Sequence, residues 1–78
     1  MRFYDRSEII TRIRDVYPHT PRATIETYIQ RGIIRPSKFQ RVGPIKRIAL
    51  FSEVYLKRIL KCRENRSIIN WKKVRLLK

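Results

Sequence analysis

Apolar residues recur at helical spacing along most of this chain and alternate in one stretch near its middle. Ile9, Ile10, Ile13, Val16 and Tyr17 share one face, which predicts a helix over about residues 6–16. Asp5 stands where it can cap that helix, and Glu8 follows at capping-box spacing. Both carboxylates also suit the positive end of a helix. Pro18 ends it, because the residue before a proline is pushed out of helical geometry. Met1–Tyr4 reads as a short lead-in.

Thr20–Pro21 is a second start signal, an N-cap hydroxyl followed by proline at the first helical position. The helix it opens covers about residues 21–31. Arg22, Ile25, Tyr28 and Ile29 lie on one side. Ala23, Thr24, Glu26, Thr27, Gln30 and Arg31 lie on the other. Gly32 is the left-handed stop. The turn Tyr17–Thr20 is short, so the two helices are expected to cross steeply, as in a helix-turn-helix.

Ile33–Ile34 should bury against both helices, and Pro36 sets an extended exit. Ser37–Arg41 and Ile45–Phe51 then flank Val42–Gly43–Pro44, which predicts a hairpin over about residues 37–51. In its second arm Ile48 and Leu50 share one face, and Arg47 and Ala49 the other. Ser52 caps a third helix over about residues 53–64, carrying Leu56, Ile59, Leu60 and Arg63. Asn65 is expected to end it in a left-handed cap. Ser67 then starts a fourth helix over about residues 68–77, with Ile68, Trp71 and Val74 at three-residue spacing. A strand over Val74–Leu77 is the competing reading. The fold class is mainly α with a small β-hairpin: four helices, and a two-stranded wing between the second and third.

Composition gives this small domain a partner class. At 78 residues the chain holds one domain. Its 20 Lys and Arg against 6 Asp and Glu leave a net charge of +14. Such a charge repels itself in a compact state, so a polyanion is expected as partner. Between Glu26 and Glu53 the chain carries Arg31, Arg35, Lys38, Arg41, Lys46 and Arg47 and no carboxylate. A helix followed by a uniformly cationic ribbon suits double-stranded DNA. The single cysteine, Cys62, excludes an intrachain disulfide and reads as a packing residue. One cysteine and one histidine make no metal site. Carboxylate pair, nucleophile–base pair and phosphate-cradling glycine loop are all missing, so neither enzyme chemistry nor a cofactor is expected. No apolar run reaches a membrane span or a secretory leader. A cytoplasmic, nucleoid-associated protein with no membrane partner is expected.

The helix start TPRAT, then YIQRGIIRP, the hairpin, and FSEVYLKRIL together resemble the DNA-binding domain of the MerR family. Excisionases and phage terminase small subunits share its winged helix-turn-helix plan. The resemblance covers nearly the whole chain, with Asn65–Ile68 similar to the segment that opens the family's fourth helix. It implies a transcriptional regulator or an excisionase-like architectural factor. Where the family carries an arginine and two successive tyrosines late in its recognition helix, this chain has Glu26, Thr27 and Tyr28, so only Tyr28 matches. Where the family's wing has Gly-Tyr-Arg before a final Tyr-Ser, Arg47, Ile48 and Ala49 precede Leu50, Phe51 and Ser52. The wing arginine is therefore lost or shifted to Lys46 or Arg47. The family's long dimerisation helix and effector domain have no counterpart in these residues.

The second helix is the expected reader of base edges, since a major groove admits one helix. Arg31 can reach guanine or phosphate, and Gln30 can pair with adenine. Thr24 and Thr27 can bond phosphate or touch a thymine methyl. Glu26 can accept from cytosine or orient Arg22 or Arg31. The Tyr28 hydroxyl is placed for phosphate, and Arg22 and Ala23 complete the surface. In the wing, Lys38, Arg41, Lys46 and Arg47 are expected at the backbone or a minor groove. The bland alternative for each set is a solvated face. For the cations of the last two helices that alternative is preferred, and Trp71 is read as core. One small domain covers one half-site, so two copies are expected on DNA, as a symmetric dimer or head to tail. The rival readings are a terminase-like packaging protein, an RNA-binding or ribosome-associated protein, and a cationic membrane-surface protein.

Overall fold

The computed structural model describes residues 2–77; Met1 of the lead-in and the cation Lys78 lie outside them. Four helices and a three-stranded antiparallel sheet follow in the order β1 (Phe3–Tyr4), α1 (Arg6–Val16), α2 (Arg22–Gln30), β2 (Lys38–Val42), β3 (Lys46–Ser52), α3 (Glu53–Lys61) and α4 (Trp71–Arg75). Among the described residues no helix is long and apolar enough to cross a membrane.

Helix α1 is the hub, packing on α2, α3, β1 and β3. The Asp5 carboxylate accepts from the Glu8 amide at 2.8 Å and starts it. Glu8 pairs with Arg12 at 3.6 Å along the exposed side. Ile9, Ile10, Ile13 and Tyr17 are buried, whereas Val16 is 46% exposed. Val16 was expected in that stripe; it lies at the stripe's edge in the last turn, beyond the residues that α2 and α3 cover. The Tyr17 hydroxyl donates to the Leu60 carbonyl at 2.6 Å. That carbonyl is in the last turn of α3, where no backbone donor of the helix can reach it.

Strand β1 was expected as an irregular lead-in. Instead Phe3 pairs with Ser52 and Tyr4 with Phe51, so the sheet order is β1-β3-β2. A two-residue strand has no periodicity to read, and its partner lies some fifty positions away. Tyr4 is buried, and the Arg12 guanidinium stands 4.4 Å over its ring.

Four other boundaries differ from expectation, each for a local reason. Pro21 is the cap of α2 rather than its first helical residue, with extended ψ of 146° and no side-chain capping bond. Its carbonyl, not the Thr20 hydroxyl, receives the first amides. Helix α3 ends at Lys61 rather than 64, because Cys62 turns into a tight reversal. There Arg63 pairs with Ile69, and the Asn70 amide donates to the Cys62 carbonyl at 2.9 Å. Asn65 takes no left-handed cap, since no described non-glycine residue has positive φ. Its side chain instead accepts from the amides of Ser67 and Ile68, an Asx turn that nucleates the reversal. Ser67 and Ile68 are held in that turn, so α4 begins at Trp71 with Asn70 as its cap and runs only to Arg75. Ile69 is buried, Ile68 is half exposed, and Val74 is helical rather than the start of a strand.

Burial of Tyr17 and Cys62 pushes both pKa values above their ordinary range, against smaller opposing effects of Arg63 on Tyr17 and Lys73 on Cys62. The unfolded chain therefore loses these protons first, and stability should fall as pH rises. In urea titrations the loss should begin near pH 8.5 with the thiol and deepen above about 10 with the phenol. Tyr17→Phe should remove the second phase. It should also cost about 1–2 kcal/mol at neutral pH, because the Leu60 carbonyl loses its donor. Unchanged stability in that variant would show that the bond across α1 and α3 is not structural.

Candidate nucleic-acid interface

Helix α2 is held by its ends and by one aromatic contact. At its C-terminus the Gly32 amide donates to Ile29 at 3.1 Å and the Ile33 amide to Tyr28 at 3.0 Å. Those two bonds form a Schellman motif, which Gly32 permits with φ of 77°. Ile25 is buried under the helix. The Tyr28 ring stacks on Trp71 with centroids 4.1 Å apart and planes 22° from parallel. Both rings pack against the core from the side while remaining half-buried.

This anchoring turns a polar stripe outward. Ala23, Thr27, Gln30 and Arg31 are all exposed and follow one another at helical spacing. The Thr27 hydroxyl donates to the Ala23 carbonyl at 2.9 Å. Its hydrogen is thereby engaged, and it offers a methyl and an acceptor rather than a donor. Arg22 and Glu26 form an ion pair at 3.1 Å beside the stripe. Glu26 thus orients Arg22, not Arg31. Thr24 is half-buried in a groove that it shares with His19, Ser67, Ile68 and Trp71. The Tyr28 hydroxyl makes no hydrogen bond among the described residues.

The wing is free-standing. Every residue of β2 is exposed, and β3 becomes buried only at Phe51 and Ser52. Ser37 closes the base: its amide donates to the Leu50 carbonyl at 2.8 Å, and its hydroxyl accepts from the Ser52 amide at 3.0 Å. The projection makes the molecule 43 × 23 × 21 Å, with a radius of gyration of 12.5 Å. A compact chain of this length would have about 11.5 Å.

Register divides the wing cations. Arg41 stands directly opposite Arg47 on one face, together with Phe39 and Ala49. Lys38 and Lys46 lie on the other face, with Gln40, Val42, Ile48 and Leu50. The Lys38 ammonium is 4.0 Å over the Phe3 ring, drawn toward β1 and away from the tip. The expected set of four is therefore two sets, and Lys38 belongs to the base of the wing. Arg41 and Arg47 are like charges directly opposed, a pairing that weakens a ladder. Among the described residues the ion pairs are Arg12–Glu8 and Arg22–Glu26, so none of the wing cations has an acidic partner.

The reversal between α3 and α4 adds residues that the sequence reading left out. Its Ser67 and Ile68 share the groove at the start of α2 with His19 and Thr24. Exposed Arg63 and Arg66 are part of the same reversal. The readable signal was Asn65 two residues before Ser67, an Asx-turn spacing inside a cationic stretch.

The Tyr28–Trp71 stack should be felt in stability. Trp71→Ala should cost about 2–4 kcal/mol in urea unfolding, through lost packing and the lost ring pair. Tyr28→Phe keeps the ring and should stay within about 0.5 kcal/mol of the parent. A large loss in Tyr28→Phe would mean that the hydroxyl, not the ring, holds α2.

Comparison of the chain with known protein families, with curated proteins and with solved structures finds no match.

Proposed function

We propose that the chain is a winged helix-turn-helix that binds double-stranded DNA. Helix α2 enters the major groove, and the β2–β3 hairpin lies along the backbone or in the adjoining minor groove. The observation that carries this reading is the cationic run from Arg31 to Arg47, without an acidic partner among the described residues and borne on an exposed helix stripe and a projecting ribbon. Opposed Arg41 and Arg47 favour a partner with closely spaced anions, and a phosphate backbone is one. Gln30 and Arg31 are the base readers on this account, adenine and guanine their natural partners. Thr27 contributes through its methyl, which suits thymine. Arg22, oriented by Glu26, positions the helix on phosphate. A MerR-like or excisionase-like use in transcription or recombination follows from the sequence resemblance, with two copies needed for a full site.

Affinity should come mainly from displaced counterions. With about five to eight phosphates neutralised, log Kd plotted against log salt should have a slope of magnitude roughly 4.5–7. Salt-insensitive binding to duplex would sink the proposal. After selection of a preferred duplex from a random pool, Gln30→Ala and Arg31→Ala should weaken it more than random duplex, by about 1–3 kcal/mol each. Lys46→Ala combined with Arg47→Ala should weaken both duplexes alike and flatten the salt slope. If only the wing variant lost sequence preference, the reading and positioning roles would have to be exchanged. Tighter binding to structured RNA than to any duplex would favour the RNA reading instead.

A further inference from the structure

The wing ends in Gly43–Pro44–Ile45, and the outermost side chain is apolar. Ile45 is 94% exposed, and Val42 beside it is 43% exposed. Val42 pairs with Lys46, so the three residues between them make the whole turn. Gly43 allows it with φ of 72°. The tip therefore extends past the last rung of the ladder. Proline fixes its own φ, and a β-branched side chain has few rotamers, so Pro44 and Ile45 form a stiff projection. Lys46, Arg47 and Arg41 stand immediately behind it, at the top of the two strands.

An apolar point backed by cations matches a duplex groove, where phosphates line the rim and stacked bases form the floor. With its own atomic width added to a strand spacing of about 4.8 Å, a two-stranded ribbon is broader than a minor groove of roughly 6 Å, so only the narrow tip enters unless the groove opens. We propose that Pro44 and Ile45 enter the minor groove and wedge between two adjacent base pairs, unstacking them and bending the duplex. This inference rests on the duplex-DNA reading above. It assigns the wing a second source of specificity besides charge. Pyrimidine–purine steps unstack most readily, so the wedge selects a TA or CA step without contacting a base edge. An anionic bilayer also has a charged rim and an apolar interior, but one isoleucine is a poor anchor, since stable attachment takes two signals.

The test uses the full chain and a duplex of about 30 base pairs with a central TA step and a fluorophore at each end. Energy transfer between the ends reads the bend, and 2-aminopurine at the step reads unstacking. The parent protein should bend the duplex by roughly 20–90° and brighten the 2-aminopurine. Ile45→Ser should abolish both signals and lower affinity by about tenfold, with the salt slope unchanged. Ile45→Leu should restore them. Because Ile45 is 94% exposed, the thermal melts of all three proteins should coincide, which keeps the comparison free of folding effects. If Ile45→Ser binds and bends like the parent, the wedge is wrong while the duplex reading stands. If the parent fails to bind duplex at all, the duplex reading fails and the wedge with it. If the parent binds duplex without bending it and co-sediments with phosphatidylserine vesicles only while Ile45 is present, the tip is a membrane contact and the wedge is overturned.

Discussion

Phe51 is buried in the core, paired with Tyr4 of β1 on a strand that also packs on α1 and α3, and strand β3 thereby ties the wing to the helices. Strand β3 pairs on one edge with β1 and on the other with β2. Its inner end carries Phe51 and the half-buried Ala49 into the core. Its last residue, Ser52, accepts the Tyr55 amide at 3.1 Å and starts α3. Its outer end has no support except β2. A two-stranded ribbon is marginal alone, and it persists here because its base is nailed into a packed core. A loss at Phe51 would reach the N-terminal strand, the wing and the third helix together.

The same arrangement sorts charge from apolar surface. The core is assembled from Tyr4, three isoleucines of α1, Tyr17, Ile25, Ile34, Phe51 and the inner faces of α3 and α4. Cations fill most of what is left. Two guanidiniums lie over the Tyr4 ring, and a lysine lies over Phe3, so aromatic faces take up some of the charge for which there are too few carboxylates. The net charge of +14 is thus accommodated without a buried ion pair among the described residues. Its cost is self-repulsion, to which the directly opposed Arg41 and Arg47 contribute. On the proposed reading that cost is removed only when phosphates arrive, so the free protein is poised for its ligand.

Helix α2 shows how a short element gains a fixed orientation. Nine residues are too few for a stable isolated helix. Its start lacks a side-chain cap, and its stability comes from Ile25 below, the Schellman stop at Gly32 and the Trp71 ring beside Tyr28. Trp71 comes from α4, and Arg35, just past α2, donates to the Leu77 carbonyl. The C-terminal segment therefore props the helix that the proposal assigns to base reading. Tyr28 packs through its ring, and its hydroxyl makes no hydrogen bond among the described residues.

The amino-acid sequence by itself determined what is decided within a few residues. Asp5, Gly32, Ser52 and the Gly43–Pro44 turn mark their boundaries through local backbone chemistry, and the isoleucine spacing of α1 places its buried face. The cationic composition of the wing and of the segment before it was equally legible, since charge is read directly from residue type. Contacts that hydrophobic periodicity does not report decided the rest. Phe3 and Tyr4 became a strand because Phe51 and Ser52 offered an unpaired edge. The segment after Cys62 became a reversal because Arg63 met Ile69 and Asn65 accepted two nearby amides, overriding an apolar spacing that reads as helix. Register was the most consequential of these decisions. Alternation placed Arg47 opposite in sense to Ile48, but only pairing with β2 set Arg41 against Arg47 and sent Lys38 to the Phe3 ring, because which residues face each other across a hairpin depends on where its turn closes.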